Sequence, residues 1–211
     1  FFTFRFGDFF GANEASLNIC FFPFHPWLYL LLVPALAMRL WAEENRAGTV
    51  ELLFTMPLSP FEAVLAKFLS SWFVAGISLI LTFPLGATVI YLGSPDIGLM
   101  ISGYLASFLV SGAFLSVGSF TSSMSKSQVV SFIISLVLCL LMIIIGHPAI
   151  TDYFTNWSPE WVITMLSNLS VMPHYETIRK GVLDIRDVSY FVSVIVFFLC
   201  STTVILNNRK N

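Results

Sequence analysis

The charged side chains that could carry chemistry are concentrated in one segment of the chain. Seven of the 22 acidic and basic residues lie between Arg39 and Lys67. They are Arg39, Glu43, Glu44, Arg46, Glu51, Glu62 and Lys67. Apolar stretches flank this segment on both sides. The residues between those stretches are too few to cross a membrane as a helix. The chemistry that it suggests is recognition of a partner protein.

The residues after Gly48 predict a short amphipathic helix within this segment. Thr49 can cap the helix, with Glu51 in its first turn, where a carboxylate is favoured by the helix dipole. Val50, Leu53 and Phe54 then form an apolar face, and Pro57 ends the element. Two interpretations stay open: a solvated loop on the lipid headgroups, or a docking helix that inserts into a groove of a partner.

The remaining reactive side chains form no catalytic or metal-binding pattern. The three cysteines are far apart and are predicted to be small apolar fillers: Cys20, Cys139 and Cys200. The three histidines each adjoin a proline near the end of an apolar stretch and are predicted to be interfacial: His25, His147 and His174. No Gly-x-x-x-x-Gly-Lys-Ser/Thr phosphate loop occurs in the 211 residues.

The composition places this segment in a membrane protein. Of the residues, 57% are hydrophobic and only 10% are charged, and the mean hydropathy is +0.86. Soluble domains carry about 25% charged residues. A water-soluble enzyme is therefore excluded, and the net charge of −2 gives no sign of a nucleic-acid partner.

Charge-free stretches locate the elements that must position the charged segment. Five stretches are each long enough to span a bilayer, which takes about 20 residues of helix: 15–38, 68–95, 97–125, 127–151 and 188–208. Lipid provides no hydrogen-bond partners, and these stretches lack the period-two alternation of a membrane barrel. We therefore predict an all-α, polytopic transmembrane protein with five spans in a single domain.

Lys and Arg near the span ends predict the orientation of these spans. Six basic residues lie on the side of 39–67, Lys126 and the tail, against four on the other side, which places the first set in the cytoplasm. The predicted division is an outer loop 1–24, a span 25–42, a cytoplasmic segment 43–58, spans 60–93, 97–123 and 126–147, outer amphipathic helices 148–185, a span 187–207 and a cytoplasmic tail 208–211. Both ends inside would require a sixth span before Phe1.

Capping patterns predict where several helices begin and end. Ser59-Pro60-Phe61-Glu62 and Ser125-Lys126-Ser127-Gln128 each have the form of a capping box, and Asp184 with Asp187 can cap the last span. In the outer loop, one helix is predicted to begin at Ser158-Pro159 and a second to run from Pro173 to Lys180 and stop at Gly181. Pro34 and Pro84 predict kinks within spans.

Small residues recur along the span 97–123. Gly103, Ser107 and Ser111 lie four residues apart, and Gly112 follows. Such spacing lets helix backbones approach closely. It serves either packing within the chain or a dimer interface.

The cytoplasmic segment resembles the corresponding loop of ABC-2 type permeases, the membrane subunits of bacterial ATP-binding-cassette exporters. The matching residues are Met38-Arg39, Glu43-Glu44, Arg46, Gly48-Thr49, Glu51, Pro57 and Ala66-Lys67. The likeness is closest to the branch of the gliding-motility and nitrous-oxide-reductase accessory permeases, and it continues through Tyr91-Leu92-Gly93, Gly103-Tyr104, Ser122-Ser123 and 181–187. The chain departs from the pattern at Asn45, where a basic residue is common.

The resemblance implies a six-span, type V exporter-like permease whose first span precedes Phe1, in the bacterial inner membrane. It implies that 43–58 is a coupling helix seated on a separate ATPase subunit, which would hold ATP and Mg, and that this chain binds no cofactor. The coupling residues would be Glu43, Glu44, Arg46, Gly48, Thr49, Glu51, Leu52, Met56 and Pro57. The other partners are the lipid bilayer and a second permease chain, identical or different.

Two alternatives from other classes remain. One is a noncatalytic membrane anchor or scaffold for envelope proteins, which predicts no nucleotide-dependent change in the spans. The other is an intramembrane serine protease. Its nearest motif is Leu109-Val110-Ser111-Gly112, which lacks the first glycine of Gly-x-Ser-Gly, with His147 at a span end.

Overall fold

The structure, a computed structural model, describes residues 21–50, 59–92, 96–146, 165 and 168–208, and the regular elements in these ranges are helices. A 3-10 turn at Phe22–Phe24 comes first. The helices that follow are α1 (His25–Ala37), α2 (Arg39–Ala47), α3 (Pro60–Ile80), α4 (Phe83–Leu92), α5 (Ile97–Met124), α6 (Gln128–Ile144), α7 (Val171–Arg179) and α8 (Ile185–Asn208). This confirms the all-α prediction for the described part of the chain.

Three of the described stretches are long and apolar enough to cross a membrane. They are Pro60–Tyr91, Ile97–Met124 and Ile185–Asn208, with 32, 28 and 24 residues. These correspond to the predicted spans 60–93, 97–123 and 187–207. The predicted span 126–147 corresponds to the 17-residue α6, and 25–42 corresponds to α1 and the start of α2. The total of five spans stays a prediction.

Pro84 interrupts the first of these stretches at Leu81 and Thr82, as the kink prediction requires. Proline has no N–H to donate to the carbonyl of Ile80, four residues earlier. The chain tightens instead, with the Thr82 N–H donating to Leu79 O at 3.1 Å and the Thr82 hydroxyl to the same oxygen at 2.6 Å. At Pro34, by contrast, α1 continues, and it ends at Ala37.

One of the two predicted capping boxes is present in the structure, and the other is absent. The Ser59 N–H donates to Glu62 Oε2 at 2.8 Å and the Glu62 N–H to Ser59 Oγ at 3.3 Å, so the first capping box is confirmed. The second was wrong, because α6 begins at Gln128, two residues later than a box at Ser125 requires. Ser125 Oγ accepts from the Ser127 N–H at 3.0 Å and forms a local turn.

The predicted ends of α7 and α8 agree in part with the structure, since α7 runs from Val171 to Arg179 instead of from Pro173 to Lys180. Asp184 Oδ1 accepts from the Arg186 N–H at 3.1 Å, which caps α8. The short helix α7 is followed by Gly181 at φ +85°, in the left-handed region that glycine tolerates best. The helix predicted at Ser158-Pro159 lies outside the described residues.

The described residues fall into two compact units. The first contains 21–28, 76–92, 96–110, 141–146, 165 and 168–189, and its core includes Phe21, Phe22, Val89 and Met100. The second contains 29–50, 59–75, 111–140 and 190–208, with Trp41, Phe68 and Phe191 among its buried side chains. The charged segment belongs to the second unit.

Candidate functional site

Helix α2 carries the first part of the charged segment and is amphipathic. Trp41, Ala42 and Asn45 lie on its buried face, whereas Glu43 and Arg46 are exposed. Residues i and i+4 lie one turn apart on the same face of a helix, so Trp41 and Asn45 share one face and the exposed residues lie outside it. The helix therefore fixes one face to its own unit and leaves charged groups on the other.

Gly48 ends α2 in the left-handed conformation, with φ +71°. The N–H groups of Gly48 and Thr49 both donate to Glu44 O, the second at 3.1 Å, which satisfies a carbonyl at the helix end. Space is free around Gly48, because an added Cβ would meet nothing within 4 Å. The glycine is required by backbone conformation rather than by crowding.

Gly48→Ala should therefore lower the free energy of unfolding by about 1 kcal/mol, the cost of a Cβ in the left-handed region. Gly48→Asn is the matched control and should cost less, because asparagine tolerates this conformation. Unfolding in mixed detergent micelles measures both. An alanine variant as stable as the wild type would contradict the assigned conformation.

A hydroxyl from α5 explains why α1 and α2 are separate helices. Ser122 Oγ donates to Met38 O at 3.0 Å and accepts from the N–H groups of Trp41 and Ala42, each at 3.0 Å. The hydroxyl is thus inserted into the backbone hydrogen-bond ladder at Met38. Insertion of a side chain is a recognised cause of a helix break that contains neither proline nor glycine.

Two more α2 side chains bind the same end of α5. The Asn45 amide donates to the carbonyls of Ser122, Ser123 and Ser125 at 3.3, 3.0 and 3.2 Å. The Trp41 indole N–H donates to Ser119 Oγ at 3.2 Å. We call Trp41, Asn45, Ser119, Ser122 and Ser123 the Trp41 cluster; all five are buried. Asn45 satisfies carbonyls that the end of a helix leaves without partners.

Lys67 of α3 contacts α2 from another direction. Its Nζ donates to Leu40 O at 2.8 Å, forms an ion pair with Glu44 Oε1 and lies 4.1 Å from the centroid of the Trp41 ring. The exposed fractions of the Lys67 and Glu44 side chains are 25% and 31%. We call these four residues the Lys67 clamp.

The predicted coupling residues divide into three groups. Glu43, Arg46, Gly48 and Thr49 are exposed, Glu44 is half-buried in the Lys67 clamp, and Leu52, Met56, Pro57 and Glu51 lie outside the described residues. The structure places Glu43, Glu44 and Arg46 on α2, which begins at Arg39, rather than on an element that starts at 43. The predicted short helix can be followed only as far as Val50, which is buried.

An open groove of about 370 Å³ runs beside this helix. Its lining residues are Leu36, Arg39, Leu40, Glu43, Glu44, Ala47, Thr49 and Lys67. The groove has two acidic and two basic side chains over an apolar floor. Such a surface suits contact with a protein surface of mixed charge better than a small charged ligand.

The two glycines among the predicted small residues of α5 each lie against an aromatic ring of their own unit. A Cβ at Gly103 would come within 2.5 Å of the Phe22 ring, and one at Gly112 within 2.9 Å of the Trp72 ring. Ser107 and Ser111 are buried. These contacts account for Gly103 and Gly112 by packing within the chain, the first of the two predicted uses.

A buried polar network in the first unit was not foreseen from sequence. Ser107 Oγ lies 2.6 Å from His25 Nδ1 and donates to Gly103 O at 2.8 Å, and the Tyr175 hydroxyl donates to Phe22 O at 2.6 Å. Burial raises the pKa of the Tyr175 hydroxyl, which keeps it a donor. Ser107 is fully buried, and its hydroxyl joins α5 to the start of α1 within the first unit.

His174 and Asp187 form a second buried pair in this unit. His174 Nδ1 lies 2.6 Å from Asp187 Oδ1, and Nε2 donates to Asn168 O at 3.0 Å. Each side chain is 9% exposed. His25 and His174 are thus buried within the protein, and His147 lies outside the described residues. The interfacial position of the three histidines stays a prediction. Asp187, named with Asp184 as a possible cap of the last span, directs its side chain to His174, thirteen positions earlier in the chain.

Neither metal binding nor the protease alternative gains support from the described geometry. Within 21–50, 59–92, 96–146 and 168–208, no three His, Cys, Asp or Glu side chains come together as metal ligands. Cys139 is buried and Cys200 is exposed. Ser111, the candidate nucleophile, is buried, and its predicted partner His147 is not described.

Comparison with known proteins assigns the chain to a family. A family model described as "ABC-2 family transporter protein" matches residues 7–206. No curated protein matches the chain. The matched region includes the charged segment, the Trp41 cluster and the Lys67 clamp. Because the match covers 200 of the 211 residues, the chain belongs to the ABC-2 family of transporter proteins.

Proposed function

We propose that the chain is the membrane-spanning permease subunit of an ATP-binding-cassette exporter. It forms the translocation pathway and couples to an ATPase on a separate polypeptide. Family membership and the apolar helices support the first part, since ABC-2 permeases are generally noncatalytic membrane subunits of transporters. The absence of a phosphate loop from the sequence supports a separate ATPase.

One observation carries the coupling role: α2 is anchored on one face and charged on the other. Trp41 and Asn45 hold the buried face. Glu43 remains exposed on the open groove, and Arg46 is also exposed, two residues before the helix ends at Gly48. A partner that binds the exposed face meets a helix that is already fixed, so little binding energy is lost in ordering it. Glu51, Leu52, Met56 and Pro57 continue this docking surface in our proposal.

The finer assignments follow the sequence resemblance. We place the chain in the branch of the gliding-motility and nitrous-oxide-reductase accessory permeases, in a bacterial inner membrane. Two permease chains, identical or different, assemble with two ATPase subunits that hold ATP and Mg. The charge-free stretches favour a lipid-like or otherwise amphipathic substrate, because an ionised group within a span is costly and would mark a polar pathway.

Copurification with a phosphate-loop ATPase from a neighbouring reading frame tests the proposal. The wild-type chain should retain the ATPase, and Gly48→Ala combined with Glu51→Gln should weaken the complex about tenfold, a loss of 1.4 kcal/mol. Glu176→Gln is the matched control, because it removes an exposed carboxylate on the side predicted to face outward. Failure of the wild type to bind the ATPase would contradict the permease function. Undiminished binding by the double variant would contradict the docking assignment.

A further inference from the structure

We propose that Lys67 is a positioning residue for coupling, and that it joins α2 and α3 into one mechanical element. These two helices flank the segment 48–59 in the chain. A force applied at that segment then moves both helices together instead of bending α2 alone. This inference rests on the proposed permease function and adds to it a residue through which movement is passed.

The contacts of Lys67 fix its ammonium group in three directions. A lysine ammonium has three N–H donors. Here it meets a backbone carbonyl at Leu40, a carboxylate at Glu44 and the ring face of Trp41. The three groups lie within one turn of α2, and Lys67 lies in the second turn of α3. A single side chain thus bridges the two helices close to the segment that connects them.

Glu44 depends on Lys67 more than Lys67 depends on Glu44. The second carboxylate oxygen, Glu44 Oε2, is buried and has no hydrogen-bond partner. Its charge is therefore compensated through Oε1 and Lys67. Loss of Glu44 would leave Lys67 its carbonyl and its ring, whereas loss of Lys67 would leave a half-buried carboxylate without its cation.

The anchoring of α2 separates this role from a general role in folding. Asn45 and Ser122 hold α2 to α5 through contacts that do not involve Lys67. Removing the Lys67 charge should therefore leave α2 in place, with Glu43 and Arg46 still exposed. What is lost is the connection to α3.

The experiment uses the complete permease with its ATPase in nanodiscs, with native cysteines replaced and one spin label at Ala47→Cys or at Leu69→Cys. Both positions are exposed, on α2 and α3 respectively. The change in label mobility between the nucleotide-free complex and the complex trapped with ATP and vanadate is recorded. The variants are Lys67→Met, Lys67→Arg, Glu44→Gln and the charge exchange Lys67→Glu with Glu44→Lys. Lys126→Met, which removes an exposed lysine, is the control.

With the ATPase present at a concentration that saturates each variant, we expect Lys67→Met to keep the response at Ala47 and to lose at least half of the response at Leu69. Lys67→Arg should keep most of the response, and Glu44→Gln should have a smaller effect than Lys67→Met. The charge exchange should restore little, because a carboxylate at position 67 can neither donate to Leu40 O nor bind the face of the Trp41 ring. An undiminished Leu69 response in Lys67→Met overturns the role, and so does an equal loss of the Ala47 response, because Lys67 would then act in docking alone. A wild-type chain that binds no ATPase overturns the permease function itself.

Discussion

Trp41→Ala should destabilise the protein by about 3 to 5 kcal/mol, the usual cost of truncating a fully buried tryptophan. Trp41 is 0% exposed, its indole N–H donates to Ser119, and its ring is a face of the Lys67 clamp. Truncation would leave a cavity and remove a partner from two polar groups at once. Unfolding in mixed detergent micelles, followed by the fluorescence of the remaining tryptophans, measures the change.

Trp27→Ala is the matched control for this prediction. Trp27 is 43% exposed, so the same truncation leaves no closed cavity and should cost less than half as much. Trp41→Phe distinguishes the two contributions, because it keeps most of the volume and loses the indole donor. Equal losses for Trp41→Ala and Trp27→Ala would mean that Trp41 is not enclosed as described.

His174→Ala should destabilise the protein by about 3 to 5 kcal/mol, because it leaves Asp187 buried without the group that pairs with it. The two side chains are each 9% exposed, and the nitrogen-to-oxygen distance is 2.6 Å. Replacing both residues, His174→Phe with Asp187→Leu, should recover more than half of the loss, since a well-packed apolar pair avoids the cost of the unpaired carboxylate. Thermal and detergent-induced unfolding would show the effect.

The exposed pair Lys180 and Glu176 provides the comparison for this second prediction. It joins residues four apart on α7, with side chains 67% and 48% exposed. Breaking it with Glu176→Ala should cost no more than about 0.5 kcal/mol. If His174→Ala is as mild as Glu176→Ala, the buried pair does not connect α7 to α8 as described.

The sequence was sufficient wherever the structural signal is local. The charge-free stretches located α5 and α8 to within a few residues of 97–123 and 187–207. The Ser59 capping box and the Gly181 stop follow from backbone groups a few positions apart, so nearby residue types decide them. The Ser125 box failed because the Ser125 hydroxyl accepts from the Ser127 N–H, two positions later, and forms a local turn instead of a cap.

The polar contacts of the candidate site could not be predicted in this way. Nothing near Met38 indicates a helix break, since the group that causes it is the Ser122 hydroxyl, 84 positions later. In the sequence, Asn45 stands out only as a departure from the ABC-2 family pattern, and nothing near it predicts its contacts. Its amide donates three hydrogen bonds to carbonyls at the end of α5. A basic side chain is also favoured beside the carbonyls at the C-terminal end of a helix.

The Trp41 cluster also sets an order of events during synthesis of the protein. Its hydrogen bonds join residues 77 to 84 positions apart, with α2 emerging first. At about 5 to 20 residues per second, α2 must wait about 4 to 16 s for Ser119 to Ser125 to leave the ribosome. Trp41 and Asn45 remain without these partners throughout this interval. The newly made chain therefore passes through a period in which α2 exists before the helix end that anchors it.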